Sequence, residues 1–339
     1  MKIYLDSGYL NVPALLERGL PFVFCYGGRG TGKTFGALEY ARERYFETGD
    51  RFILLRRLQS QIDLINKPEY SPYKAVDLLR QWEPTTTKSV SKYTSGFYVG
   101  DDCIGYTAAL STFANMRGFD ASDCALIIYD EFIPEAHERP LKNELAALLN
   151  SYETVNRNRE LNGKPPVQLL ALANANNLGN PIFDGLGLVD IVQKMERKGQ
   201  SWREIRDRGV LLVRLDASRI SAAKSETALY KLARGTEFEA MSIANRFASL
   251  DSWEVRAMPI NEYRPIAQLG EICFYRHKSR PEYYITDKIS GSPPKFADTK
   301  MDVAKFVQRY GWIGDRAING KCIFSSAGVK VRFMGYLQL

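Results

Sequence analysis

An ammonium, a hydroxyl, two adjacent carboxylates and an amide are the groups in this sequence whose order could do chemistry. Lys33 and Thr34 close the stretch Gly27-Gly28-Arg29-Gly30-Thr31-Gly32-Lys33-Thr34, which satisfies G-x-x-x-x-G-K-[ST] at every fixed position. In such a loop the glycines let successive backbone N–H groups turn inward around phosphate oxygens. The lysine adds a point charge toward the β and γ oxygens, and the threonine hydroxyl serves Mg²⁺. Arg29 stands inside the loop, facing either the phosphates or a subunit boundary. About a hundred residues later the apolar run Cys124–Tyr129 ends on Asp130-Glu131. An apolar strand delivering a carboxylate to a phosphate loop is the Walker B arrangement, with Asp130 in the Mg²⁺ shell. Glu131, the next residue, is placed to polarise an attacking water, which favours hydrolysis over transfer to a second substrate. Asn174 ends another apolar run, Val167–Ala173, where an amide could sense a γ-phosphate. A loop-forming Asn cluster is the plainer reading of the same residues.

These groups need strands to carry them to one edge. Pro21–Tyr26 reads as a buried strand feeding the loop, and Thr34–Glu47 as the helix leaving it, with Leu38, Ala41 and Tyr45 on one face and Gly49 as its C-cap. Arg51–Arg57 is a second buried strand. Arg56 or Arg57, at its carboxyl end, could face phosphate or a neighbouring subunit, or form a structural ion pair. Ser60–Trp82 reads as helix, turn, helix. Tyr93–Val99 and Cys103–Ala109 flank Gly100 as a hairpin, and Ser111–Phe119 is turn-like. Pro140–Arg159 carries Leu141, Leu145, Leu148, Tyr152 and Val155 on one helical face. It ends in Arg157 and Arg159 near the acidic strand, where an arginine could complement the helix dipole or act as a finger on another subunit's γ-phosphate.

Beyond Pro181 the pattern changes. Asp190–Arg208 reads as a charged, solvated helical pair, Val210–Leu215 as a strand and Glu226–Phe247 as helices broken at Gly235. Ala267–Tyr275, Tyr283–Thr286, Cys322–Ser325 and Val329–Met334 are strand candidates around a helix at Asp302–Tyr310. Residues 251–339 hold 14 Lys and Arg against 9 Asp and Glu, most of the formal charge of +7. A basic tail points to an anionic partner. The 339 residues suit two domains, or one large domain with an appendage. No apolar run approaches the roughly 20 residues a membrane helix needs, and Asp6 interrupts the opening apolar stretch, so a cytoplasmic protein is expected. Five cysteines stand singly and the two histidines far apart, which leaves a structural zinc site without ligands.

The sequence resembles the DNA encapsidation (packaging) ATPases of small protein-primed podoviruses. The resemblance covers most of the chain and is densest at Gly27–Thr34, Phe52–Arg57, Tyr129–Ile133 with Leu145–Asn150, and Glu153–Glu160 with Leu172–Phe183; Gly235–Phe247 adds a further stretch. It implies an α/β fold: an ASCE P-loop ATPase domain with a largely parallel sheet (1–180), a small helical lid or linker (181–250), and a basic C-terminal α+β domain resembling a vestigial RNase H-like nuclease (251–339). Lys33 and Thr34 would bind phosphate and Mg²⁺, Asp130 would be the Mg²⁺ carboxylate, Glu131 the catalytic base and Arg157 the trans-acting finger. ATP and Mg²⁺ are the implied cofactors. The implied assembly is a homo-oligomeric ring, a pentamer, working in the host cytoplasm and transiently on the prohead. It would drive double-stranded viral DNA through the portal, with a packaging RNA open as a further partner. Where the family can carry a lysine shortly after the paired arginines, this chain has Leu58-Gln59-Ser60, so the resemblance leaves the identity of any second trans-acting cation open. The tail lacks a compact set of carboxylates for two-metal cleavage. The rival readings are a large terminase whose C-terminal nuclease cuts DNA, and a non-hydrolysing portal or DNA adaptor.

Overall fold

The computed structural model describes residues 1–116, 119–135, 138, 141–175, 178–216, 227–232 and 254–337, and divides into two compact units: 1–182 with 195–248, and 183–194 with 249–339. Most of Glu226–Phe247, all of Gly235–Phe247 and Pro140 lie outside the described residues.

The first unit is built on a nine-stranded sheet. In chain order its strands are β1 (Phe22–Gly27), β2 (Arg51–Arg56), β3 (Thr86–Ser91), β4 (Thr94–Val99), β5 (Asp102–Ala109), β6 (Cys124–Asp130), β7 (Gln168–Asn174), β8 (Trp202–Ile205) and β9 (Val210–Leu215). They lie side by side as β3-β4-β5-β2-β6-β7-β1-β9-β8. The five pairings from β5 through β9 are parallel, and the outer ones are antiparallel. Central parallel strands are covered on both faces, so they read as continuous apolar runs; all of β6 is buried. Alternate residues of the sheet, such as Val23, Cys25, Leu54, Ile128 and Leu172, pack with α1 (Val12–Leu16), α2 (Lys33–Thr48), α3 (Gln59–Ile65) and α4 (Tyr73–Arg80). The opposite phase of β1 meets α5 (Glu144–Asn156), where the Phe22 and Tyr152 rings lie 5.0 Å apart.

Local chemistry sets the ends of these elements. α2 stops at Gly49, which has φ 76° and donates its N–H to the Tyr45 carbonyl, the left-handed C-cap that glycine adopts at least cost. α5 begins at Glu144, later than the sequence pattern suggests, because Asn143 already has φ 54°. Of the expected stripe, Leu141 precedes the helix, while Leu148 and Val155 are buried within it. The turn-like Ser111–Phe119 is mostly a 3₁₀ segment, Leu110–Met116. The solvated helical pair expected at Asp190–Arg208 is not formed. There is one helix, Val189–Lys198, with Val192 and Met195 fully buried, followed by β8. Two apolar residues three apart define a buried face however many charges surround them.

In the second unit β10 (Tyr263–Leu269), β11 (Ile272–His277), β12 (Tyr283–Thr286), β13 (Lys295–Phe296) and β14 (Cys322–Phe324) are ordered β13-β10-β11-β12-β14. The single strand expected over Ala267–Tyr275 is two. Gly270, at φ 54°, turns the chain between antiparallel β10 and β11. Val329–Met334, expected as a strand, lies inside the helix Ala327–Leu337. Val329 and Phe333 are buried four residues apart, joining Val303, Phe306 and Phe274 in one core.

Candidate nucleotide site

The carboxyl ends of β1, β6 and β7 place the phosphate loop, the acidic pair and the amide together. Gly27 ends β1 beside β9 so closely that a Cβ there would stand 2.5 Å from the Leu215 carbonyl oxygen. From there the chain turns through Gly28–Gly32 into α2. Thr34, in the first turn of α2, has its hydroxyl 3.1 and 3.0 Å from the two carboxylate oxygens of Asp130. Asp130 is buried between neighbours on the sheet. A hydroxyl and a carboxylate at this spacing are the hard oxygen donors that suit Mg²⁺, which keeps the rest of its shell as water and phosphate. Lys33 Nζ donates to the Gly28 carbonyl at 2.7 Å and to Asn174 Oδ1 at 3.1 Å. Burial pulls its ammonium down to about 8, against the opposing pull of Asp130. A phosphate beside it would stabilise the charged form.

A cavity of about 350 Å³ is lined by Arg29, Gly30, Thr31, Gly32, Lys33, Thr34, Phe35, Glu131, Glu135 and Asn174. Next to it a pocket of about 50 Å³, bounded by Glu131, Glu135, Glu138 and Asn174, is large enough for a water. Glu131 sits at the junction in the left-handed region, φ 58°. Desolvation raises its carboxyl above the usual range, opposed by the Arg56 guanidinium and reinforced by Asp130. Arg29, unresolved between phosphate and boundary, pairs with Glu135 across the cavity wall. A larger cavity of about 490 Å³, with Arg44, Asp123, Arg159 and Lys164 among its lining, includes none of the phosphate-loop residues.

The two arginines of β2 separate. Arg56 reaches Asp130 at 2.7 Å and Glu131 at 2.6 Å, spanning both carboxylates. Arg57 is fully buried, 2.7 Å from the equally buried Glu144 and 2.8 Å from Glu138. It is therefore the structural ion pair. Sequence reasoning missed the clamp by Arg56 because side-chain direction at a strand's last residue depends on the local twist, and missed Glu135 because it lies on an irregular loop.

Arg157 is not beside these groups. It follows α5 at φ 42°, half exposed, and donates to the carbonyls of Phe119 at 3.0 Å and Thr154 at 3.1 Å. Arg159 donates to the carbonyls of Ser122 and Cys124. The Arg159 contacts lie at the start of β6, whereas Asp130 is at its end, roughly 20 Å away at about 3.3 Å per residue. The arginines are near the acidic strand, but at the end opposite its acids. Four cysteines are buried and Cys103 is half-buried. Among the described residues no helix is long and apolar enough to cross a membrane.

Comparison with known proteins converges on one group. A DNA packaging protein of Bacillus phage phi29 is 27% identical over 249 residues, 71% of this chain and 66% of that protein, so the chain matches just under two thirds of its relative's length. A chain in the bacteriophage Phi-29 viral genome packaging motor assembly superposes with a TM-score of 0.72 at 20% identity, covering 98% of both chains. The N-terminal domain of the DNA packaging ATPase from bacteriophage phi29 gives a TM-score of 0.50 at 25% identity over 60% of this chain and 95% of that one. The model of the podovirus DNA encapsidation protein (Gp16) family matches residues 5–256, most of the sequence, and the chain belongs to that family.

Proposed function

We propose that this chain is the ATPase of a viral DNA-packaging motor, binding MgATP in the 350 Å³ cavity and hydrolysing it to drive double-stranded DNA through the portal into a prohead. The observation that carries the reading is the convergence of Lys33, Thr34, Glu131 and Asn174 on that cavity from three separate parts of the chain, with Asp130 bonded to Thr34 beside it. The loop N–H groups and Lys33 hold the β and γ oxygens. Mg²⁺ held through Thr34 and Asp130 would neutralise charge on those oxygens. Glu131 takes the proton of a water in the adjoining pocket as that water attacks the γ-phosphorus. Asn174, already bonded to Lys33, is placed to exchange partners between phosphate and product. Arg157 cannot reach the cavity of its own chain, so in this reading it acts from a neighbouring copy, stabilising charge on the transferring group. That requirement supports a homo-oligomeric ring.

The C-terminal unit is read as the remnant of an RNase H-like fold. Three antiparallel strands β10-β11-β12, with β13 parallel to β10, support it, whereas β14 lies outside β12. β10 contains no Asp or Glu, and among the described residues no group of three or more His, Cys, Asp and Glu could hold a metal ion. The unit's excess of Lys and Arg then serves contact with nucleic acid or the portal rather than cleavage.

The test is Glu131→Gln, assayed for nucleotide binding and for phosphate release with DNA present. Binding should survive and turnover should fall by about a hundredfold or more, the range of a lost general base. Unchanged turnover would remove Glu131 from the mechanism. Absence of hydrolysis by the unaltered protein would favour a structural role for the nucleotide.

A further inference from the structure

α5 ends on a buried amide. Asn156, the last residue of the helix, is only 5% exposed. Its Oδ1 accepts the N–H of Val167 at 2.9 Å, and its Nδ2 donates to Glu160 Oε2 at 3.1 Å. Val167 is fully buried just before β7, and its carbonyl accepts from the Tyr152 hydroxyl, one turn back on the helix, at 2.8 Å. The end of α5 is thereby fastened to the start of β7 at two points. Beyond Arg157 the loop is fixed again. The Arg159 N–H donates to the Asn156 carbonyl at 3.0 Å, and its guanidinium donates to the carbonyls of Ser122, Cys124 and Pro165 at 3.2 to 3.3 Å. The Asn162 N–H closes a turn on the Asn158 carbonyl at 3.0 Å, and the Lys164 N–H one on that of Arg159 at 2.9 Å. Between these anchors stands Arg157, its side chain half exposed and its backbone at φ 42°.

We propose that Asn156 is a positioning residue for the Arg157 finger, acting through Val167 and Glu160. The inference rests on the finger reading above and adds what holds the finger's backbone in place. An arginine that must meet a γ-phosphate on another copy depends on where its backbone stands, because a misplacement of about an ångström can cost about a hundredfold in rate. A left-handed backbone at a non-glycine residue persists only where its neighbours over-determine it. Asn156 does this on both sides of Arg157: it joins the helix behind to Val167 beneath and to Glu160 beyond. A polar side chain buried at a helix end is costly unless its groups are used. Here the amide oxygen and the amide nitrogen are both engaged, and both bonds hold the segment that carries the finger.

The test is steady-state ATP hydrolysis by the full chain with DNA present. Asn156→Leu removes both bonds, whereas Asn156→Asp keeps the acceptor for Val167 and sets a carboxylate against Glu160. Each should lower turnover by about tenfold while the KM for ATP stays within about twofold, because the phosphate cavity is untouched. Adding Glu160→Gln to Asn156→Asp returns a donor to the pair and should recover most of the loss. Combined with Arg157→Ala, neither Asn156 variant should slow turnover further, since nothing is left to position. A further loss of the same size would show that Asn156 acts independently of the finger, and would overturn the proposal. So would turnover in Asn156→Asp within about twofold of the unaltered protein, a result that stands even where Asn156→Leu fails to fold. Arg157→Ala alone separates the two readings. Unchanged turnover removes the finger and this inference with it, whereas a slow Arg157→Ala beside an unimpaired Asn156→Asp overturns the positioning alone.

Discussion

Arg56 and Arg57 are neighbours of one type on one strand, and the structure gives them opposite fates under the same substitution. Arg57→Met removes a guanidinium that is fully buried and bonded at 2.7 and 3.2 Å to Glu144, whose carboxylate is equally buried and also accepts from the Tyr129 hydroxyl and the Leu141 N–H. The carboxylate left behind cannot reach water, and breaking such a pair costs about 3–5 kcal/mol. For a unit of this size each kcal/mol moves the melting point by about 2–4 °C, so the drop should be about 6–20 °C. Arg56→Met removes hydrogen bonds to Asp130 and Glu131, but Asp130 keeps the Thr34 hydroxyl and Glu131 is half exposed. Its cost should stay within about 1–3 kcal/mol. Adding Glu144→Gln to Arg57→Met discharges the stranded group while keeping acceptor and donor atoms, and should recover more than half of the loss. Melting followed by circular dichroism at one protein concentration measures all four proteins. If Arg57→Met melts no lower than Arg56→Met, the burial argument is wrong.

Two further outcomes follow from positions elsewhere. Mixtures of Arg157→Ala and Glu131→Gln subunits should hydrolyse more ATP than either variant alone, since an intact base then meets an intact neighbouring arginine; phosphate release no higher than that of the better variant alone would refute action in trans. Asp184, in the second unit, has its carboxyl pushed up by burial, with Arg332 opposing and Asp190 adding to the effect. The folded chain therefore holds that proton more tightly than the unfolded one, so the stabilisation is complete below the ordinary carboxylate pKa and lost as pH rises through the raised value. Asp184→Asn should remove this loss, and its urea midpoint relative to the unaltered protein should improve from pH 4 to pH 7; a constant difference refutes the assignment.

What could be read without coordinates depended on how local its cause was. The phosphate loop is contiguous, and its glycines and lysine state their own geometry, so the loop and its flanking strand and helix were legible. Asn174 was legible as a strand end, but its bond to Lys33 needed β7 to lie beside β1. Val329–Met334 alternates apolar and polar residues through Arg332, a strand pattern. Only Val303, Phe306 and Phe274 beside Val329 and Phe333 show that a spacing of four is the one buried. The arginines after α5 were correctly placed at a helix end, yet which end of β6 they met depended on the direction in which α5 crosses the sheet.

Four non-glycine residues among those described have positive φ, and Glu131 and Arg157, the proposed base and finger, are two of them. Such a backbone costs about 1–3 kcal/mol and persists only where its surroundings over-determine it. At Glu131 they do: the next N–H, of Phe132, donates to the Leu172 carbonyl at 3.2 Å, while the side chain is held by Arg56. At Arg157 the backbone N–H closes the last turn of α5 on the Glu153 carbonyl at 2.8 Å while the guanidinium is held by Phe119 and Thr154. Neither residue extends its strand or helix. Each turns out of regular structure at the point where its group is presented, one over the cavity and the other at the opposite end of β6. The proposal that one nucleotide meets both groups therefore requires the second to come from another copy.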